Sequence, residues 1–236
     1  AGLSNYSYLL RDDIFWNSIG NTIYFVLGTC IPILSLAVFF AVLLNSRIRL
    51  KTYYRILFFL PVITSEVIAV VVWMLMYNPD GPINNLLMML GVDERLTWLD
   101  DSTLAMPAII LLTIWYRLGY FIVLFLSGLQ GIPGDLYEVA EVDGAGAWKR
   151  FWSITLPLLK PTLAFATTIA LIQAVTVFIP SMILTNGGPN GSTTVLSLLI
   201  YQTGFTYLDM GKAAAMSVVL FISVMFVTVI QLRFLF

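Results

Sequence analysis

The side chains that most often act as nucleophile, base or metal ligand are nearly absent here. The chain has no histidine and one cysteine, Cys30. Ser-His-Asp and Cys-His catalysis and the common zinc sites each need a His or several Cys. A phosphate-cradling G-x-x-x-x-G-K-[ST] loop is also missing, so the chain does not itself hydrolyse ATP. What remains are polar residues set in apolar runs: Glu66, Arg117 and Gln173. A charge at the bilayer centre costs at least ~2.5–3.5 kcal/mol on insertion scales, which makes each a pathway candidate. An interhelical bond, or an Arg snorkelling to one end of its helix, accounts for Glu66 and Arg117 equally well. Gln173, near Thr167, Thr168 and Thr176, serves as readily as glue between helices. Trp115, Tyr116 and Tyr120 surround Arg117, and Val177 and Phe178 follow Gln173. Planar polar groups beside aromatic faces suit a sugar ring, though aromatic stripes also pack or face lipid.

The elements that must position these residues follow from composition. Of 236 residues, 59% are hydrophobic and 11% charged, with a mean hydropathy of +0.92. This excludes a disordered chain and a water-soluble globule. A net charge of −1 gives no basic field for nucleic acid. A spanning helix needs about 20 mostly apolar residues. Five windows qualify: Ile19 to Leu44, Ile56 to Tyr77, Leu104 to Ser127, Thr162 to Leu184 and Ala213 to Phe236. Among the chain's 12 bases and 13 acids, only Glu66, Arg117 and Arg233 fall inside them. The expected fold is therefore all-α: a polytopic membrane protein with five spanning helices. Pro32, Pro61 and Pro180 are expected to kink helices or free carbonyls, as in cavity-lining spans.

Basic residues set the orientation. The segment 45–55 carries Arg47, Arg49, Lys51 and Arg55, and 128–161 carries Lys149, Arg150 and Lys160. The opposite side has only Arg11, Arg95 and Lys212. The first two segments are thus cytoplasmic, and residues 1–18, 78–103 and 185–212 face out. Five spans place Ala1 outside, so a further helix upstream, six in all, is expected. The outer segments are acidic, which fits a docking surface or an ordinary solvated face. Val195 to Tyr201 is apolar but short, a re-entrant or interfacial helix.

The loop 128–161 is the most informative. Asp135 and Glu138 read as a capping box after Pro133-Gly134. The short helix then ends at Asp143-Gly144, where Gly can take a left-handed cap. Leu136, Val139 and Ala140 share a face. A solvated amphipathic helix between two spans would also read this way. The full string, Tyr137-Glu138-Val139-Ala140, Asp143-Gly144-Ala145, Phe151, Ile154-Thr155-Leu156-Pro157 and Pro161, resembles the EAA loop of binding-protein-dependent ABC transporter permeases. Val139 departs from it, standing where the family usually has Ala. Leu60-Pro61, Trp73 to Gly81, Thr185-Asn186-Gly187-Gly188-Pro189 and Gly211-Lys212-Ala213-Ala214-Ala215 resemble the carbohydrate-uptake branch, with its maltose- and trehalose-type subunits. The likeness covers nearly the whole chain, residues 19–236 forming the transmembrane domain after an extracytoplasmic segment 1–18.

The resemblance implies a multi-pass permease in a prokaryotic cytoplasmic membrane, importing a sugar, expected to be a disaccharide or oligosaccharide. It implies a second homologous permease, two ATPase subunits that bind ATP and Mg, and an extracytoplasmic solute-binding protein. This chain would carry no cofactor. The loop helix would enter a cleft on the ATPase, with Leu136, Tyr137, Glu138, Val139, Ala140, Asp143, Gly144, Ala145, Leu156 and Pro157 forming the coupling site. Relatives place pathway residues in the helices flanking the loop, which directs attention to Trp115, Arg117, Tyr120, Gln173, Val177 and Phe178, with Glu66 beside them. A polyol or glycerol phosphate is the alternative substrate. An ion-coupled secondary transporter would need inverted repeats, and none is evident. A membrane enzyme would need a paired acid/base set, and none is present.

Overall fold

The computed structural model describes residues 3–45 and 51–235, with side chains at 51, 52, 55, 232, 234 and 235 left undescribed. Arg47 and Arg49 of the expected basic loop, and Phe236 at the end of the fifth window, lie outside the described residues. Lipid offers backbone groups no partners, so apolar segments must satisfy their hydrogen bonds internally, as helices do. All regular elements among the described residues are helical. A short α1 (Ser4–Leu9) precedes the long α2 (Asp13–Asn45), followed by α3 (Lys51–Ile63), α4 (Glu66–Met76) and α5 (Pro82–Met89). The long α6 (Ala105–Gln130) leads to α7 (Asp135–Val142), α8 (Ala147–Arg150), a π-helical turn (Phe151–Thr155) and α9 (Leu156–Leu158). Then come α10 (Lys160–Val175), α11 (Ile179–Leu184), α12 (Leu196–Tyr201), a second π-helical turn (Gln202–Thr206) and α13 (Met210–Leu235).

Four stretches are long and apolar enough to cross a membrane: Asp13–Asn45, Ala105–Gln130, Lys160–Leu184 and Met210–Gln231. They overlap the first, third, fourth and fifth windows. The second window departs from a simple span. Its helix stops at Ile63, restarts at Glu66, and the two halves meet at a bend of 106°. Counting the bent pair as one crossing gives the expected five. Pro61 supplies no N–H to continue the ladder. The last turn of α3 tightens: the Thr64 N–H donates to the Pro61 carbonyl at 3.1 Å. The Thr64 hydroxyl donates to the Leu60 carbonyl at 3.0 Å. The freed Thr64 carbonyl accepts a hydrogen bond from the Tyr116 hydroxyl at 2.9 Å. The other prolines act differently. Pro32 sits inside an unbroken α2, whereas Pro180 lies in the first turn of α11.

The core lies mainly between α2 and α6, where Phe25, Ile109, Leu112, Phe121 and Phe125 are fully buried. Against them α3 crosses α6 at Gly119, where a Cβ would sit 1.9 Å from the Phe58 carbonyl oxygen. Only glycine permits that approach. Helix α10 packs on α2 and α13. There the Gln231 amide donates to the Ala164 carbonyl at 2.8 Å and the Thr168 hydroxyl at 2.9 Å. In the short apolar stretch Val195 to Tyr201, Val195, Leu196, Leu198 and Leu199 are buried within the chain. The Leu196 N–H donates to the Thr22 hydroxyl of α2 at 2.9 Å.

Candidate functional site

The break between α3 and α4 puts Glu66 in the first turn of a new helix, facing α6. Its Oε1 lies 3.4 Å from Arg117 Nη2. Both side chains are mostly buried, 16% exposed for Arg117 and 23% for Glu66. Together with Val62, Tyr116, Tyr120 and Gln173 they line a recess of about 260 Å³. Four of the sequence-predicted pathway residues, Glu66, Arg117, Tyr120 and Gln173, are therefore brought together from α4, α6 and α10. The Tyr116 hydroxyl is committed to the helix break. A hydrogen-bonded, paired charge of this kind is tolerable at membrane depth where a lone one is not.

Three predicted residues lie off the recess. The Trp115 ring packs 5.5 Å from that of Trp73, and Phe178 packs 5.1 Å from Tyr201. Val177 is buried in the core, and its carbonyl accepts the Ser197 hydroxyl. The threonines near Gln173 bond their own helix: Thr167 donates to the Leu163 carbonyl and Thr176 to that of Ile172. The disturbance expected at Pro61 is present, but as a 106° break and not a mild kink. Its signal was Thr64-Ser65-Glu66 after Pro61: a helix-start residue followed by an acid, inside an apolar run.

The loop helix α7 presents a different surface. None of its residues is buried. Leu136 is 43%, Val139 61% and Val142 89% exposed, at a spacing of three along one side. The other side, with Tyr137 and Ala140, is half-buried, and the Tyr137 hydroxyl meets that of Thr155 at 3.0 Å. The helix ends as its sequence implied. Gly144 has φ of +74°, its N–H donates to the Glu141 carbonyl, and the Ala145 N–H donates to the Ala140 carbonyl at 2.8 Å. This paired closure satisfies two terminal carbonyls. Two readings need correction. Ala140 lies on the half-buried side with Tyr137, not on the open side of Leu136 and Val139. No capping box forms, because Gly134 is the N-cap and no side chain bonds there. Asp135 and Glu138 lie instead in the first turn, where they favour the positive end of the helix dipole. Glu141 is met within the chain, by Arg150 at 2.8 Å. Beyond the π-helical turn, Leu156 is half-buried and Pro157 exposed.

Outside the spans, Asp209 caps α13: its Oδ1 accepts the Lys212 N–H at 3.1 Å. That backbone bond, with the Lys212 ammonium, holds the Asp209 carboxyl below its ordinary range. The turn 185–194 is tied to α2, since the Asn21 amide donates to the Gly191 and Thr194 carbonyls at 2.8 and 3.1 Å.

Four or five apolar crossings around a paired charge, with a short helix whose apolar side is uncovered, mark a multi-pass membrane protein. Residues 21–235 match the family described as binding-protein-dependent transport system inner membrane component, and the chain belongs to it. It is 37% identical to a probable ABC transporter permease protein, YesP, of Bacillus subtilis, over 98% of this chain and 76% of that one. It is likewise 37% identical to the trehalose/maltose transport system permease protein MalF of Thermococcus litoralis, over 99% of this chain and 79% of that one. Among solved structures, it resembles a chain of a bacterial alginate ABC transporter in complex with an alginate pentasaccharide-bound periplasmic protein. The TM-score is 0.89 at 25% identity, covering 98% of this chain and 81% of that one. The expected carbohydrate-uptake branch of ABC permeases is thus the one found, and the chain is a membrane subunit without enzymatic activity of its own. Family membership favours ATP-driven transport over the ion-coupled alternative.

Proposed function

We propose that this chain forms part of the translocation path of an importer that carries a disaccharide or short oligosaccharide into a prokaryotic cell across its cytoplasmic membrane. The recess carries this reading. It gathers a carboxylate, a guanidinium, a primary amide and a phenol within one small volume, a donor and acceptor set suited to sugar hydroxyls. The trehalose/maltose permease relative supports the substrate class. A second permease, two ATPases that bind ATP and Mg, and a solute-binding protein would complete the assembly. Trp115, Val177 and Phe178 then act by supporting the recess walls.

Coupling falls to α7. Its uncovered Leu136 and Val139 fit a groove on an ATPase subunit, the helix-in-groove mode of recognition. Asp135, Glu138 and Asp143 supply charge for basic groups there, and Ala140, Gly144 and Ala145 allow close approach. Closure of the ATPases on ATP would carry α7 and switch the permease pair from inward- to outward-facing. The test is ATP hydrolysis by the reconstituted assembly with its binding protein, across a panel of neutral sugars. Stimulation by a disaccharide or oligosaccharide is the expected result. Uptake driven by an imposed ion gradient, with no ATPase co-purifying, would overturn the proposal.

A further inference from the structure

The recess contains one acid and one base, and their contact leaves most of their hydrogen-bonding capacity unused. Arg117 offers five N–H donors and Glu66 about four lone-pair sites, while a single Nη2–Oε1 approach of 3.4 Å joins them. Among the described residues, no other charged group lines this volume. Tyr120 and Gln173 also line it, and among the described residues neither the Tyr120 hydroxyl nor the Gln173 amide makes a hydrogen bond. A neutral ring with neighbouring hydroxyls can donate to the carboxylate and accept from the guanidinium without separating them. An anion is treated differently. It must compete with Glu66 for Arg117, and it meets the Glu66 charge at close range in a poorly solvated setting.

We infer that Glu66 is a specificity-determining residue: by neutralising Arg117 it makes the path accept uncharged sugars and reject uronates, sulfonates and phosphate esters. The inference rests on the carbohydrate reading and sharpens it, removing glycerol phosphate from the candidate substrates. Without Glu66 the same recess would present a bare guanidinium, an anion-binding group. Specificity against charge thus comes from a repulsive element, not only from attractive contacts.

The experiment compares two probes that differ only at C6, methyl glucoside and methyl glucuronide. Their binding is measured by ligand-observed NMR on the intact assembly in nanodiscs, without binding protein. The wild type should prefer the glucoside by at least about tenfold, and E66Q should erase or reverse that preference. E66D keeps the charge and should keep the preference. It also guards against loss of folding in E66Q, as does R117Q, which leaves Glu66 unpaired and should reject the glucuronide more strongly. An unchanged preference in E66Q, or a wild type that favours glucuronide or binds neither probe, overturns the inference. Sugar-stimulated ATP hydrolysis alongside any of those results would leave the transport proposal standing. Its absence would remove that proposal separately.

Discussion

Gly144 is where local geometry meets the coupling role proposed for α7. Its left-handed φ closes α7, and a Cβ built there meets nothing within 4 Å of this chain. Strain is therefore the only cost inside the chain, roughly 1–2 kcal/mol for a non-glycine residue in that region. Gly144→Asp adds a charge where a partner must approach, so we expect sugar-stimulated ATP hydrolysis to fall at least about tenfold. Gly144→Ala, with strain alone, should lose less; equal and normal activity in both would sink the role given to this turn. Asp209 supplies the pH test. Its folded carboxyl titrates below the unfolded one, so its stabilisation is present above the unfolded value and fades as pH falls through the folded one. Asn keeps the cap without titrating. The melting-temperature advantage of the wild type over Asp209→Asn should shrink from about pH 6 to about pH 3. At this scale the sequence was informative for residues whose job is local. The turn at Gly144 was legible from Asp143-Gly144 alone. The Arg150–Glu141 pair was not, because two residues nine apart meet only once the loop has folded back.

At the scale of elements, the decisive feature is the interrupted second span. Tyr116→Phe removes the donor to the Thr64 carbonyl, leaving a part-buried acceptor without that bond. We expect a loss of about 1 kcal/mol, seen as a drop in melting temperature of roughly 2–4 °C for a protein of this size. A full-length hydropathy window hides such a break, because one Glu and two hydroxyl residues hardly lower its mean. The other four crossings were legible for the opposite reason: a long apolar run has no alternative in lipid but a helix. Close approaches between elements were not legible. Nothing in the string around Gly119 says that the Phe58 backbone lies against it. Gly119→Ala should therefore prise α3 from α6 at a cost of roughly 1–3 kcal/mol, measurable by thermal unfolding in detergent. A stability equal to wild type would mean that α3 crosses elsewhere.

At the scale of the whole molecule, the two functional regions sit on different kinds of structure. The recess is assembled from four helices, α3, α4, α6 and α10; the sequence could nominate its residues as a set, but their meeting in one volume needed the fold. The helix proposed to couple, α7, is one continuous segment, so its extent and its end could be read in advance. Its N-terminal cap and its inward and outward faces needed coordinates, because Tyr137 and Leu136 are both apolar enough to face either way.

The uncovered side of α7 also bears on how a cell handles this protein. Leu136, Val139 and Val142, with Trp148 at 75% exposure nearby, form a greasy tag on an otherwise polar connection. Exposed apolar segments are what chaperones and proteases triage. A chain made in excess of its ATPase would carry that tag openly and be cleared. Assembly would thereby police its own stoichiometry, and replacing Leu136 and Val139 with serine should let orphan copies accumulate several-fold in cells lacking the ATPase.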